Sequence, residues 1–126
     1  MSDDQTNKRT ILIVDDEEDL AYLTAHHLRL SNFDTITAVN GKEALEKLAK
    51  SKVDLVLSDI RMPKMDGITL LSKIIELYGE TIPVVLLTGF SEVDHQTALD
   101  KGAKVLLNKP VDIDEVERIV KRLTGL

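Results

Sequence analysis

At 126 residues, with 43% hydrophobic and 30% charged residues, the chain has the size and composition of one soluble globular domain, not of a disordered or fibrous protein. It has no cysteine, which removes disulfides, thiolate catalysis and cysteine-ligated zinc. The balance of 16 Lys and Arg against 22 Asp and Glu gives a net charge of −6, so no general attraction to nucleic-acid phosphates is expected. No apolar run approaches the ~20 residues of a membrane span, and the opening MSDDQTNKR lacks the apolar core of a secretory signal. A cytoplasmic protein without membrane contact is expected, with a flexible polar leader at 1–9, a natural start at Met1, and one folded unit at 10–126.

The first predicted strand is Thr10-Ile11-Leu12-Ile13-Val14, a β-branched run that stops at Asp15-Asp16-Glu17-Glu18-Asp19. A helix follows over 17–30, with Leu20, Leu23 and Leu28 expected on its apolar side. A weaker strand at 35–39 leads to a helix opening at Asn40, where Glu43 completes a capping-box-like pair and Ala44, Leu45, Leu48 and Ala49 are expected to be buried. The third strand, 54–58, runs into Asp59. The third helix carries Leu70, Leu71, Ile74, Ile75 and Tyr78 and stops at Gly79. A fourth strand at 83–88 precedes a helix starting at Ser91, with Asp94 three residues on and a stop at Gly102. The fifth strand, 104–107, precedes a helix that begins at Asp112 and presents Ile113, Val116, Ile119, Val120 and Leu123.

Strict alternation of near-continuous apolar strands with helices predicts a (βα)5 doubly wound α/β fold. It is a flavodoxin-like three-layer sandwich with a five-stranded parallel sheet in the order 2-1-3-4-5. In such sheets ligands bind at the carboxyl ends of the strands, where the order reverses between strands 1 and 3. Those ends carry Asp15 and Asp16, Asp59, Thr88, and Lys109-Pro110. Three carboxylates brought together would repel one another and need a cation to stay ionised. Hard oxygen donors in this number suit Mg²⁺, whose remaining positions accept phosphate oxygens. A carboxylate can itself be the nucleophile when a metal and a lysine neutralise the transferring group, the roles open to Asp59, Mg²⁺ and Lys109. Thr88 offers a hydroxyl to a phosphoryl oxygen, with Gly89 leaving room. Each residue has an ordinary explanation alone: acids at a helix start, a turn cap, a strand end, a solvated lysine. Their joint occurrence at the appropriate strand ends has none.

These pieces resemble the receiver domain of two-component response regulators. The matching strings are Val14-Asp15-Asp16-Glu17, Asp59-Ile60-Arg61-Met62-Pro63-Lys64-Met65-Asp66-Gly67, Thr88-Gly89 and Lys109-Pro110. The resemblance implies that Asp59 accepts a phosphoryl group from a phosphohistidine on a sensor histidine kinase or histidine phosphotransfer protein. It implies that Asp16 binds Mg²⁺ directly, Asp15 mainly through water, and the backbone carbonyl of Arg61 as a further ligand. Lys109 would pair with the phosphoryl oxygens, Thr88 would move toward them, and the Lys109-Pro110 bond would be cis. The chain would then be a signalling module that catalyses its own phosphotransfer and slow dephosphorylation, not an enzyme acting on outside substrates. It would be a monomer or weak phosphorylation-dependent dimer, controlling a downstream protein or output domain through the surface around helix 4, strand 5 and helix 5.

One position departs from the family. Leu106 stands three residues before the lysine, where the family usually has Tyr or Phe, so switching must rely on Thr88 and loop movement or be weaker. Arg61 lies where the family modulates water attack on the phosphate. A flavin module is disfavoured because its phosphate loop would coincide with the acidic run. An aspartyl phosphatase of the Asp-x-Asp type needs an acid where Arg61 stands, and a receiver used only for docking would not need the full residue set. Pro63 and Gly67 are expected to shape the loop, and Met62 and Met65 to be packing or loop residues. Phe90 is expected beside Thr88. His26, His27 and His95 are expected to be surface or partly buried residues without a metal, and Arg118, Lys121 and Arg122 to lie on a solvated helix face.

Overall fold

A computed structural model describes residues 8–89 and 92–125. Among them five strands and five helices alternate: β1 (Thr10–Val14), α1 (Glu18–Leu30), β2 (Asp34–Ala38), α2 (Gly41–Lys50), β3 (Leu55–Asp59), α3 (Gly67–Tyr78), β4 (Val84–Thr88), α4 (Glu92–Asp100), β5 (Val105–Asn108) and α5 (Ile113–Thr124). The strands are all parallel, in the order β2-β1-β3-β4-β5. This is the doubly wound architecture expected from the alternation. The predicted helix start at Ser91 and the position of Phe90 lie outside the described residues, as does most of the leader. No helix among the described residues is long and apolar enough to cross a membrane.

Alternation of side chains along each strand splits the core into two layers. Ile11, Ile13, Leu55, Leu57, Val85 and Leu107 pack against α1 and α5. Leu12, Val14, Val56, Val84, Leu86 and Leu106 face the other way, against α2, α3 and α4. Four of the five strands, β2 to β5, have bounds shifted by a residue from expectation. Before β3, Asp54 accepts a hydrogen bond from the Thr10 backbone N–H at 2.8 Å and donates its own N–H to the Thr10 carbonyl at 2.8 Å, tying that turn to the start of β1.

The helix starts expected at Asn40 and Asp112 are capped, and Asp66 adds a cap that was not expected. Asn40 accepts from the Glu43 N–H at 2.8 Å, while the Glu43 carboxylate reaches back to the Val39 N–H at 2.7 Å. Asp66 and Asp112 cap α3 and α5 by accepting from Thr69 N–H and Asp114 N–H. Gly79 ends α3 with φ 68°, a value that favours glycine.

The buried face of α1 differs from the leucine side expected for it. Ala21, Ala25 and Leu28, spaced four and three apart, face the core, whereas Leu20 and Leu23 are 45% and 63% exposed. The two alanines bring the helix axis close to the sheet, and that closeness outweighs the larger apolar area of the leucines. Ala49, also expected inside, is exposed, because it falls one position off the Ala44 and Leu48 face of α2. Leu28→Ala is therefore expected to destabilise the fold by about 2–5 kcal/mol and Leu23→Ala by no more than about 0.5 kcal/mol in urea denaturation. Equal losses would show that the helix is turned the other way.

Candidate functional site

Among the described residues the buried polar and charged side chains are Asp15, Ser58, Asp59 and Thr88, and all lie at the carboxyl end of the sheet. A fold that keeps its interior polar groups in one place has built a site there. The strand ladder carries on past the ends of the strands to hold the backbone rigid. Asp15 N–H donates to the Ala38 carbonyl at 3.0 Å, Ile60 N–H to Leu87 at 2.9 Å, and Lys109 N–H to Thr88 at 2.7 Å. By the same alternation that builds the core, Asp15, Asp59 and Lys109 continue the side-chain rows over the α1 and α5 layer, and Thr88 continues the row over α2, α3 and α4.

Since β1 and β3 are neighbours, the carboxylates of Asp15, Asp16 and Asp59 offer oxygens that all lie within 4.8 Å of one another. Asp15 and Asp59 are buried and Asp16 is exposed. Lys109 Nζ donates to Asp59 Oδ2 at 2.8 Å. Burial is the main cause that raises the Asp15 pKa above its ordinary value, and the charges of Asp59 and Asp16 add to it. A hydrogen bond from the Glu17 N–H, 2.9 Å from Oδ1, and the Lys109 charge pull the other way. For Lys109, burial favours the neutral amine, but the hydrogen bond to Asp59 and the charges of Asp59, Asp15 and Glu17 outweigh it and raise the pKa. Lys109 is therefore a fixed cation. A cluster of hard carboxylate oxygens with one protein cation can take up a small divalent ion such as Mg²⁺.

The loop between β3 and α3 is pinned against the strand it leaves. Gly67 N–H donates to the Ile60 carbonyl at 2.7 Å. A Cβ at Gly67 would run into the Asp59 carbonyl oxygen and stand 2.8 Å from Ile60 Cα. Gly67 is thus a packing requirement of the strand that carries Asp59. Met62 and Met65 pack partly buried against the core on that side. Arg61 is exposed at the start of this loop. The Lys109-Pro110 bond is cis, as the resemblance implied. Leu106 is 9% exposed, paired in register with Leu86 and packed in the α2, α3 and α4 layer.

Two features had no signal in the sequence. An apolar groove lined by Leu20, Leu23, Val111 and Ile113 runs from Asp15 and Lys109 along α1. His27 is half-buried, with Nε2 2.8 Å from Glu117 Oε1, a pairing 90 residues away in the chain. His26 and His95 are exposed, as are Arg118 and Arg122 of α5, whereas Lys121 bonds Glu117 at 2.8 Å.

A family model described as the response regulator receiver domain matches residues 11–121. The chain belongs to this family. Regulatory protein AtoC of Escherichia coli (strain K12) is 42% identical to the receiver domain over 117 residues, which span 92% of this chain and 25% of that protein. Sporulation initiation phosphotransferase F of Bacillus subtilis (strain 168) is 37% identical over 117 residues, 92% of this chain and 94% of that protein. The crystal structure of response regulator protein TrrA from Thermotoga maritima, in complex with Mg²⁺-BeF, superposes with a TM-score of 0.82 at 31% identity, covering 91% of this chain and 98% of that one.

Two consequences of the geometry are open to measurement. With its folded pKa above the ordinary 3.8, Asp15 weakens the fold at pH values where it is ionised in both states, and ceases to do so once it is protonated in both. In Mg²⁺-free buffer, Asp15→Asn keeps the acceptor for Glu17 and should raise the Tm at pH 7 by roughly a few degrees. The gain should vanish as the pH falls below 3.8; a gain independent of pH would contradict the charge argument. Gly67→Ala is expected to cost about 1–3 kcal/mol on thermal denaturation, and an unchanged Tm would mean that the loop yields freely.

Proposed function

We propose that Asp59 of this receiver domain accepts a phosphoryl group from a phosphohistidine on a sensor histidine kinase or histidine phosphotransfer protein. The observation that carries this reading is the 2.8 Å approach of Lys109 Nζ to Asp59 Oδ2 inside a cluster of three carboxylates at the switch point of the sheet. A capping or surface aspartate would need neither. The solved complex of TrrA with Mg²⁺-BeF and the name of phosphotransferase F support it from the side of the relatives.

In this reading a carboxylate oxygen of Asp59 attacks phosphorus and forms a P–O bond. The N–P bond of the donor breaks, and its electron pair passes to the imidazole, which takes up a proton. The Lys109 ammonium shifts its hydrogen bonding from the carboxylate to the phosphoryl oxygens as their charge comes to rest beside it. The Thr88 hydroxyl donates to another phosphoryl oxygen. Asp16 directly, Asp15 through water, Asp59 and the Arg61 backbone carbonyl would hold Mg²⁺, which when bound neutralises charge on the transferring group. Arg61 would bear on water attack, and hence on the slow self-dephosphorylation. The receiver unit of this proposal spans 10–126 and acts in the cytoplasm as a signalling module.

The read-out in this proposal falls to Thr88 and the face formed by α4, β5 and α5. Leu106 gives it no ring to reposition, and it already lies within the core beside Leu86. The downstream partner or output domain is met through that face.

Incubation with acetyl phosphate and Mg²⁺, followed by intact-mass measurement, tests the acceptor. Wild type should gain one phosphoryl group, lose that ability in EDTA, and Asp59→Ala should gain none. Modification that persists in Asp59→Ala would sink the assignment, and turnover of varied phosphomonoesters would make the protein a phosphatase.

A further inference from the structure

On the face of the sheet that carries α1 and α5, one group of side chains takes no part in the acceptor chemistry. His27 of α1 points its Nε2 at two carboxylates of α5, 2.8 Å from Glu117 Oε1 and 3.8 Å from Asp114 Oδ1. Asp114 and Glu117 are three apart on one helix and so share a face. The three donor atoms lie within 4.8 Å of one another. A ring nitrogen carries at most one proton and can satisfy one acceptor. Glu117 takes it. Asp114 is left at 3.8 Å, beyond hydrogen-bond range, and among the described residues its carboxylate has no other ion pair. The pKa of Glu117 is pushed down to about 2 by hydrogen bonds from Lys121, Ser31 and His27, so its carboxylate is ionised at any ordinary pH.

We propose that His27, Asp114 and Glu117 form a second metal site, for a divalent d-block cation of the zinc class. One imidazole nitrogen with two carboxylate oxygens is a donor set for such an ion, whereas Mg²⁺ prefers oxygen alone. Tetrahedral bonds of about 2.0–2.1 Å put donors roughly 3.3 Å apart, and the 2.8 and 3.8 Å separations bracket that value. The cation takes the place of the Nε2 proton, the neutral ring then carries its one proton on Nδ1, and the ion answers both carboxylates at once. Two carboxylates balance its charge beside a neutral imidazole. Asp114 is exposed, so a fourth position is open to water. Lys121, on the other oxygen of Glu117 at 2.8 Å, holds that carboxylate in place. Since His27 also lines the apolar groove beside Lys109 and Pro110, the ion joins α1 to α5 along one wall of it.

Calorimetric titration of the whole chain with ZnCl₂ in excess Mg²⁺ tests this. Wild type should bind one Zn²⁺ with a rise in Tm. Asp114→Asn and His27→Gln should each weaken binding by roughly tenfold or more and abolish the rise. Asp16→Asn, which alters the oxygen-only cluster, should leave Zn²⁺ binding unchanged. Asp114 is exposed, so Asp114→Asn should melt like wild type in EDTA. Absence of Zn²⁺ binding by wild type, or loss of it in Asp16→Asn and not in Asp114→Asn, would overturn the proposal.

Discussion

Repulsion among carboxylates is the constraint around which this molecule is arranged. Asp15, Asp16 and Asp59 are held together at the end of an apolar sheet, two of them buried, and nothing in the hydrophobic core can relieve their charge. Relief comes from Lys109, whose ammonium reaches Asp59 from the end of β5 on the same face of the sheet. Three carboxylates against one ammonium leave the site under electrostatic tension. Tension of this kind is what an ion or phosphoryl group with bound metal can release, and it explains why an otherwise apolar interior keeps acids at this end.

The rest of the fold holds that arrangement still. Parallel strands deliver their carboxyl ends to one edge, so residues from sequence positions 15 to 109 meet without any long-range loop having to find its partner. Added ladder bonds beyond β1, β3 and β5 stiffen the backbone under Asp15, Ile60 and Lys109. Gly67 lets the first turn of α3 press directly on the end of β3. The scaffold is tied down where Asp59 stands and apolar elsewhere.

Much of this was legible in the chain. The β-branched runs, the caps at Asn40 and Asp112 and the stop at Gly79 fixed the alternation, and the alternation with parallel strands fixed where Asp15, Asp59, Thr88 and Lys109 would meet. What stayed hidden depended on packing distance. Counting apolar area favoured Leu20 and Leu23, while the sheet selected Ala21 and Ala25 because small side chains let the helix come closer. The reason for Gly67 could be read only once a Cβ there was seen to strike Asp59. The pairing of His27 with Glu117 spans 90 residues and follows no local period, so the sequence showed only a surface or partly buried histidine and not its partner.

The alternation along β3 has a last consequence. Ser58 and Asp59 are adjacent and face opposite layers, so sliding β3 by one position against β1 and β4 would send the carboxylate into the opposite apolar layer and leave a hydroxyl in the acid's place. Chemical identity at this site is therefore a matter of strand alignment as much as of sequence. β3 sits at the centre of the sheet with partners on both sides, the position where misalignment is corrected twice.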